Sequence, residues 1–424
     1  MEFALFVKNF RYQMEEEMIP TTGLWRNRDF VILWVTQSIS LLGSSVTFLA
    51  LPLIAASTLH ATPFQMGILN TVGTLPAMLL GLLAGVWIDR YRRRPILIIS
   101  NFGQALLLVA VSLLAFFGWL RMEYLYLFGF AIAILRLFFD VANQSFLPSL
   151  IGREQLVEGN SKMEISRSAV AVIGPGLAGG LVQLFTAPLA IVFDALTFVI
   201  AGLGVAAIRT PEQVVTTAPQ RMHHAIGEGL RLVLGERTLR NLTGALITSA
   251  LFTAMLDAVL LLYLTRDLKL AAGMIGVAFG VGSIGFMVGA LLQGRLAARF
   301  GMRLTLMIGL VLTGFGDLLI PMVTGKNAMV VILLTIFVAQ FFFGMGRTTF
   351  NIGQISLRQR VTPDHMQGRM NATINFVRAI SIAVGGLLGG WLGSVIGLQW
   401  TLIVAAIGEI LAAGWLLTGQ DVEQ

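Results

Sequence analysis

The sequence predicts an all-α integral membrane protein with twelve transmembrane helices, arranged as two pseudo-symmetric six-helix bundles. Three observations carry that reading. Only 12% of the 424 residues are charged, about half the share found in soluble domains, and the mean hydropathy is +0.82. Apolar windows long enough to cross a bilayer recur along the whole chain. A short basic loop near residue 90 also returns, in altered form, about 209 residues later.

The apolar windows fall near 30–57, 64–88, 95–119, 123–149, 160–185, 187–208, 240–265, 272–297, 303–324, 328–356, 369–394 and 398–418. They are continuous, Gly-rich and Pro-containing, whereas barrel strands would alternate in pieces of about ten residues. Spans longer than the bilayer needs are absorbed by tilt. The opening "MEFALFVKNFRYQMEEEMIP" is not read as a signal peptide, because Glu15, Glu16 and Glu17 interrupt its short apolar start. It is read as a cytoplasmic arm.

Lys and Arg set the orientation. Of the 29 such residues, Arg121, Arg266, Lys269 and Lys326 fall in one set of loops, and Arg136, Arg347 and Arg378 fall within spans. The other twenty-two lie in the opposite set, with the N-terminus. Both termini are therefore expected on the cytoplasmic side. The expected organisation is an arm (1–28), a first bundle (29–208), a cytoplasmic linker with an amphipathic segment (209–240), a second bundle (241–418) and a tail (419–424). The net charge of +7 follows from this topology. It does not point to nucleic acid, because no basic patch carries interleaved aromatics on a soluble module.

"GVWIDRYRRRP" (85–95) is the loop between the second and third spans. Arg90, Arg92, Arg93 and Arg94 satisfy the positive-inside rule, but Asp89 adds little to orientation. A carboxylate beside guanidinium groups at a helix end can form charge-assisted bonds to neighbouring elements. Gly85, Asp89, Arg90, Arg93 and Arg94 are therefore candidates for a cytoplasmic gate. The second copy is "GRLAARFGMR" (294–303), matching Gly85 to Gly294, Arg90 to Arg299 and Arg94 to Arg303. "GPGLAGGL" (174–181) matches "VGGLLGGW" (384–391) at an offset of 210. Parallel repeats of this kind place a substrate site between the halves, near the bilayer midplane.

Over essentially its full length the chain resembles the major facilitator superfamily. "GVWIDRYRRRP" is similar to that superfamily's G-x-x-x-D-R-x-G-R-R loop, with Arg92 in place of the second Gly; in the second copy Ala298 replaces the acid. "GPGLAGG" resembles the helix-five signature of proton-coupled drug exporters, with Ala178 for the first of the paired glycines. "SFLPSLIGREQLVEGNS" (145–161), "FDALTFVIAG" (193–202) and "QRVTPDHMQGRMNA" (359–372) resemble the bacterial branch holding macrolide efflux proteins and the enterobactin exporter. The resemblance implies a major facilitator fold in a bacterial inner membrane. Helices one, four, seven and ten would line a cavity, and helices two, five, eight and eleven would form the interface. Many relatives carry an acid after the helix-one glycine, where this chain has Ser44 and Ser45.

The residues of the helix-five motif make physical sense on their own. Gly174, Pro175, Gly179 and Gly180 leave a bare face that lets another helix approach, and the Pro kinks the axis. Such a face suits ordinary close packing and also a contact that slides.

Charges inside the membrane cost about 2.5–3.5 kcal/mol each on insertion scales, so each needs a reason. Arg136 and Asp140 are spaced i,i+4 in the fourth helix and can pair on one face. Asp257 lies in the seventh helix, and Arg347 and Arg378 lie in the tenth and eleventh. Arg136, Asp140 and Asp257 are the proton-coupling candidates. Asp194, Asp317 and Glu409 fall in helices six, nine and twelve and are read as structural. The substrate candidates are Gln37, Asn70, Asn143, Gln144, Phe342, Met345, Arg347 and Arg378; soft and aromatic neighbours suit bulky amphipathic ligands.

No cysteine is present, which excludes thiol chemistry, and His60, His223, His224 and His365 are too scattered to hold a metal. No cofactor is implied, nor is an enzyme: there are no paired carboxylates at loop ends and no phosphate-cradling glycine loop. Without a nucleotide-binding motif, transport is expected to be secondary. The expected function is proton-coupled export of macrolide-like or other amphipathic small molecules by a monomer, the alternative being a siderophore exporter or lipid translocase.

Overall fold

The computed structural model describes residues 23–88, 91–152, 154–210 and 230–417. Twelve helices fill them. The first bundle contains α1 (Arg28–Leu53), α2 (Pro63–Ile88), α3 (Arg93–Phe116), α4 (Met122–Ile151), α5 (Leu156–Phe185) and α6 (Ala187–Ala207). The second begins with α7 (Arg237–Leu262). The stretch Ala272–Leu319 is then broken at Gly301, whose φ of 77° and ψ of 158° leave the helical region, into α8 (272–300) and α9 (302–319). A left-handed φ favours glycine, which has no Cβ to clash. The last three are α10 (Met329–Val361), α11 (Gln367–Val395) and α12 (Leu398–Leu411).

All twelve expected spans are present, with ends displaced by a few residues. Local chemistry fixes several of these ends. Asn27 caps α1 through its side-chain oxygen, which accepts from Asp29 N and Phe30 N at 3.1 Å each, a contact typically worth about 1 kcal/mol. Glu236 caps α7 by accepting from Leu239 N. The expected gate residues Asp89 and Arg90 lie outside the described residues, as do the arm up to residue 22, most of the expected linker and the tail.

The internal duplication is written into the backbone. A five-residue π-helical turn follows α1 (Ile54–Thr58), and another follows α7 (Tyr263–Asp267), 209 residues later. His60 and Lys269, at the same offset, both take a left-handed φ, of 50° and 53°. Thr186 and Gly397 turn α5 into α6 and α11 into α12 with φ of 70° and 86°. The matched arginines do matched work. Arg94 donates to the carbonyls of Val205 and Ala206 at the end of α6, and Arg303 donates to those of Leu416 and Leu417 after α12. A cation at a helix C-terminus satisfies carbonyls that have no partner within the helix and complements its dipole.

The ends of the helices nearest the 88–93 and 300–302 connections carry most of the basic residues and are called the basic end. Toward the opposite end, one apolar core runs through both bundles, from Val46, Leu108 and Ile191 to Met255, Ile275 and Ile336. At the basic end there are two separate cores, one around Phe30, Leu97 and Phe146, the other around Leu306, Phe350 and Ile374. Among the described residues the bundles are therefore joined at the opposite end and have separate cores at the basic end.

The join consists of two helix pairs, α2 with α11 and α5 with α8. Each pair meets at glycines. A Cβ on Gly179 would lie 2.6 Å from Ala272 O and 2.8 Å from Gly276 Cα; one on Gly67 would lie 2.4 Å from Gly386 O and 3.0 Å from Gly390 Cα. Only bare backbone fits at that separation, the geometry that small residues permit between membrane helices. Polar contacts reinforce the join. Thr71 Oγ1 donates to Ala383 O at 3.0 Å, Gly273 N donates to Gln183 Oε1 at 2.9 Å, and Ser283 Oγ donates to Ala171 O. Arg266, in the turn after α7, reaches across to Ala56 O at 3.2 Å and Ala61 O at 2.8 Å.

Candidate functional site

A cavity of about 490 Å³ lies where the bundles meet, on the open side of the join. α1 contributes Ser44, Thr47 and Phe48; α2 contributes Met66, Leu69, Asn70 and Thr74. α3 supplies Gln104, α4 supplies Ile132 and Arg136, and α6 supplies Asp194 and Phe198. The second bundle closes it with Asp257 and Leu260 of α7, Phe279 of α8 and Ile382 of α11. The wall is thus mostly aliphatic and aromatic, with a few polar groups, the usual make-up of a small-molecule site.

Asp257 faces this cavity from one bundle and Arg136 from the other. Arg136 Nε stands 4.0 Å from Asp140 Oδ2, and the two side chains are 62% and 59% exposed. The pair forms on one helix face as its spacing requires. At that exposure it adds little to stability, and Arg167 also lies within electrostatic reach of Asp140.

Asn70 lines the central cavity, whereas Gln37, Asn143 and Gln144 line a second one of about 500 Å³ nearer the basic end, with Asn160, Glu164 and Arg167. There Gln37 Nε2 donates to Asn143 Oδ1 at 2.9 Å, tying α1 to α4. Phe342 and Met345 are not among the residues lining either cavity. Phe342 packs edge-on against Phe315 of α9, with ring centroids 5.6 Å apart. The backbone of Met345 fills the space beside Gly285 and Gly289 of α8. α10 accordingly supplies none of the described residues of the central cavity, although the family resemblance implied that it would.

Behind Asp257 the second bundle holds a polar cluster. Glu409 of α12 is 1% exposed and accepts from Ser249 Oγ at 2.6 Å and Thr253 Oγ1 at 3.3 Å. Arg347 Nη1 donates to Thr253 Oγ1 at 2.9 Å and lies within electrostatic reach of Asp257, Asp317 and Glu409. Arg378 shares the small pocket of Arg347 and Glu409. The Thr253 hydroxyl thus mediates between Glu409 and Arg347; among the described residues no acid of this cluster forms an ion pair with an arginine.

The helix-five motif divides its labour. Gly174 makes room for Ser45 inside the first bundle, where a Cβ would lie 2.5 Å from Ser45 Oγ. Gly179 faces α8 across the join, while Gly180 has nothing within 4 Å of where its Cβ would be. Pro175 is accommodated within α5, and its carbonyl oxygen sits 2.5 Å from where a Cβ on Gly276 would be. Of the gate candidates, Arg93 is buried at the start of α3, Arg94 holds α6, and Gly85 lies in the last turn of α2.

Sequence reasoning passed over Gly67 and Gly276, whose offset of 209 matches that of the basic loops. It also read Asp194 as purely structural, although the residue borders the central cavity.

Comparison with known proteins fits this architecture. The chain is 25% identical over 383 residues to the multidrug efflux pump Tap of Mycolicibacterium fortuitum, covering 87% of this chain and 90% of that protein. It is 24% identical over 393 residues to the enterobactin exporter EntS of Salmonella paratyphi A, covering 92% and 91%. Among solved structures, a bacterial homologue of the iron transporter ferroportin in its inward-facing state superposes with a TM-score of 0.74 at 17% identity, covering 92% of this chain and 98% of that one. Its outward-facing state gives 0.56 at the same identity and coverage. The family model described as transmembrane secretion effector matches residues 21–422. With its twelve helices, duplicated bundles and cavity at their junction, the chain belongs to this family of major facilitator membrane transporters and is not an enzyme.

Proposed function

We propose that the protein is a secondary active exporter of amphipathic small molecules, working by alternating access in exchange for protons. The observation that carries this reading is the central cavity. It is mostly apolar, with Phe48, Phe198 and Phe279 in its wall, it takes carboxylates from both bundles, and among the described residues the apolar core that joins the bundles lies at one end of it. The excess of Lys and Arg supports a cytoplasmic position for the basic end, in a bacterial inner membrane. On that orientation the conformation described is inward-facing, ready to take substrate from the cytoplasm or the inner leaflet. The named activities of Tap and EntS support export.

Arg136, Asp140 and Asp257 are the groups we assign to proton exchange. Asp257 can move between water in the cavity and the field of Arg347, and Asp140 can move between Arg136 and water. A second reading, export of an anionic chelator such as a siderophore, draws on Arg347, Arg358 and Arg378 on the inner helices of the second bundle. None of the three lines the central cavity, and Arg347 already has three carboxylates within reach. The first reading therefore fits the chemistry better.

The test is proton movement in proteoliposomes, followed with a pH-sensitive dye, on adding macrolides, cationic dyes or siderophores. Flux driven by an amphipathic compound and abolished in Asp257→Asn or Asp140→Asn supports the assignment. Binding without any proton movement refutes the antiport mechanism, and flux with siderophores alone selects the second reading.

A further inference from the structure

We propose that Asp194 of α6 carries a transported proton for the first bundle, held in the inward-facing state as a neutral carboxyl; the assignment rests on the proton-exchange reading above. Its setting is unusual. The side chain is 0% exposed, yet it forms part of the wall of the central cavity. It reaches the wall because α1 has no side chain in the way: a Cβ on Gly43 would lie 2.4 Å from Asp194 Oδ1.

The surroundings are short of donors. Thr197 Oγ1 is 3.0 Å from Oδ1, but its single hydrogen is shared with the carbonyl of Asp194 at 2.8 Å. Oδ2 is buried without a hydrogen-bond partner among the described residues, and the same holds for Thr47 Oγ1 of α1 beside it. An ionised carboxylate in such a place would have at most the hydroxyls of Thr47 and Thr197 as donors and, among the described residues, no ion-pair partner, which falls short of what burial of charge demands. One proton on Oδ2 removes the buried charge, and the carboxyl can then donate to Thr47 Oγ1.

The groups that face Asp194 explain how the proton leaves. Among the polar groups of the shared cavity wall, α1 presents the hydroxyls of Ser44 and Thr47, and α3 presents the neutral amide of Gln104. The charged neighbours are Arg136 of α4 and, across the cavity, Asp257 of α7. Arg136 is held loosely by Asp140 at 4.0 Å. When substrate enters and moves the wall, water and Arg136 gain access to Asp194. The O–H bond then breaks, the proton passes to water at the basic end, and the carboxylate left behind pairs with Arg136. In the outward-facing state the carboxylate takes a proton from water on the other side. Each bundle thereby contributes one carboxyl to the same cavity, Asp194 from the first and Asp257 from the second.

Two measurements on the purified full-length protein test this. Infrared spectra at neutral pH should show a protonated-carboxyl carbonyl band that is diminished in Asp194→Asn and retained in Asp140→Asn. In proteoliposomes Asp194→Asn, which keeps the size and hydrogen-bonding capacity of the neutral acid, should bind substrate but lose substrate-driven proton movement. An unchanged carboxyl band, or proton movement equal to wild type, overturns the assignment of Asp194 alone. Absence of proton movement in the wild-type protein overturns the exchange mechanism itself, and with it a transport role for Asp194.

Discussion

Replacing Gly179 with alanine should push the protein out of the conformation described here. The new methyl would sit 2.6 Å from Ala272 O and 2.8 Å from Gly276 Cα, whereas ordinary contacts begin at 3.4 Å. Both obstacles are backbone, so no rotamer change relieves them, and α5 and α8 must separate by about 0.6–0.8 Å. Overpacking a tight contact costs about 1–3 kcal/mol. Because the contact exists at the joined end, that cost falls on the conformation described here. The equilibrium should therefore shift toward a state open at this end by about 5- to 140-fold, at 1.4 kcal/mol per tenfold change. Gly180→Ala, one residue away with nothing within 4 Å, is the control. The absence of cysteine makes the assay clean. Spin labels on Arg121→Cys and Lys326→Cys, exposed residues of opposite bundles at the joined end, report the separation by pulsed electron resonance. Gly179→Ala should populate longer distances, and Gly180→Ala should not. Identical distance distributions in wild type and Gly179→Ala would refute the claim that this crossing holds the end shut.

Three further outcomes are expected. Arg266→Ala removes two charge-assisted bonds across the join, each worth about 1.5–3 kcal/mol; the same spin-label pair should move apart, and an unchanged distance argues against a latch. Arg94→Ala and Arg303→Ala should lower the melting temperature in detergent by similar amounts, since each arginine holds the carbonyl end of the equivalent helix; a large effect of only one would break the functional equivalence of the two copies. Ser249→Ala takes the 2.6 Å donor from buried Glu409 and should destabilise by about 1–3 kcal/mol, whereas Ser356→Ala, exposed on α10, should change stability by less than about 0.5 kcal/mol. Equal melting of these two variants would show that Glu409 does not depend on its hydroxyl donors.

The amino-acid sequence by itself determined the twelve helices, and the reason is local. Inside a bilayer each segment must satisfy its own backbone hydrogen bonds, so a long apolar run has few choices other than helix. The duplication was legible for a related reason. Gly85 and Gly294, or Arg94 and Arg303, retain the residue types that their turns and helix ends require. Some residues of the cavity wall were equally legible, because a charge such as Asp257 or Arg136 stands out against an apolar background.

What the sequence could not supply was distance between residues far apart in the chain. Only the packed helices bring Gly43 against Asp194, across about 150 positions of sequence, and turn a residue read as structural into part of the cavity wall. Only they send Phe342 against Phe315 and leave α10 out of the described wall of the central cavity. The same packing chose between the near-identical glycines of "GPGLAGGL". Gly179 meets backbone at 2.6 Å and Gly180 meets nothing, a distinction that lies entirely in how α5 is rotated against α8.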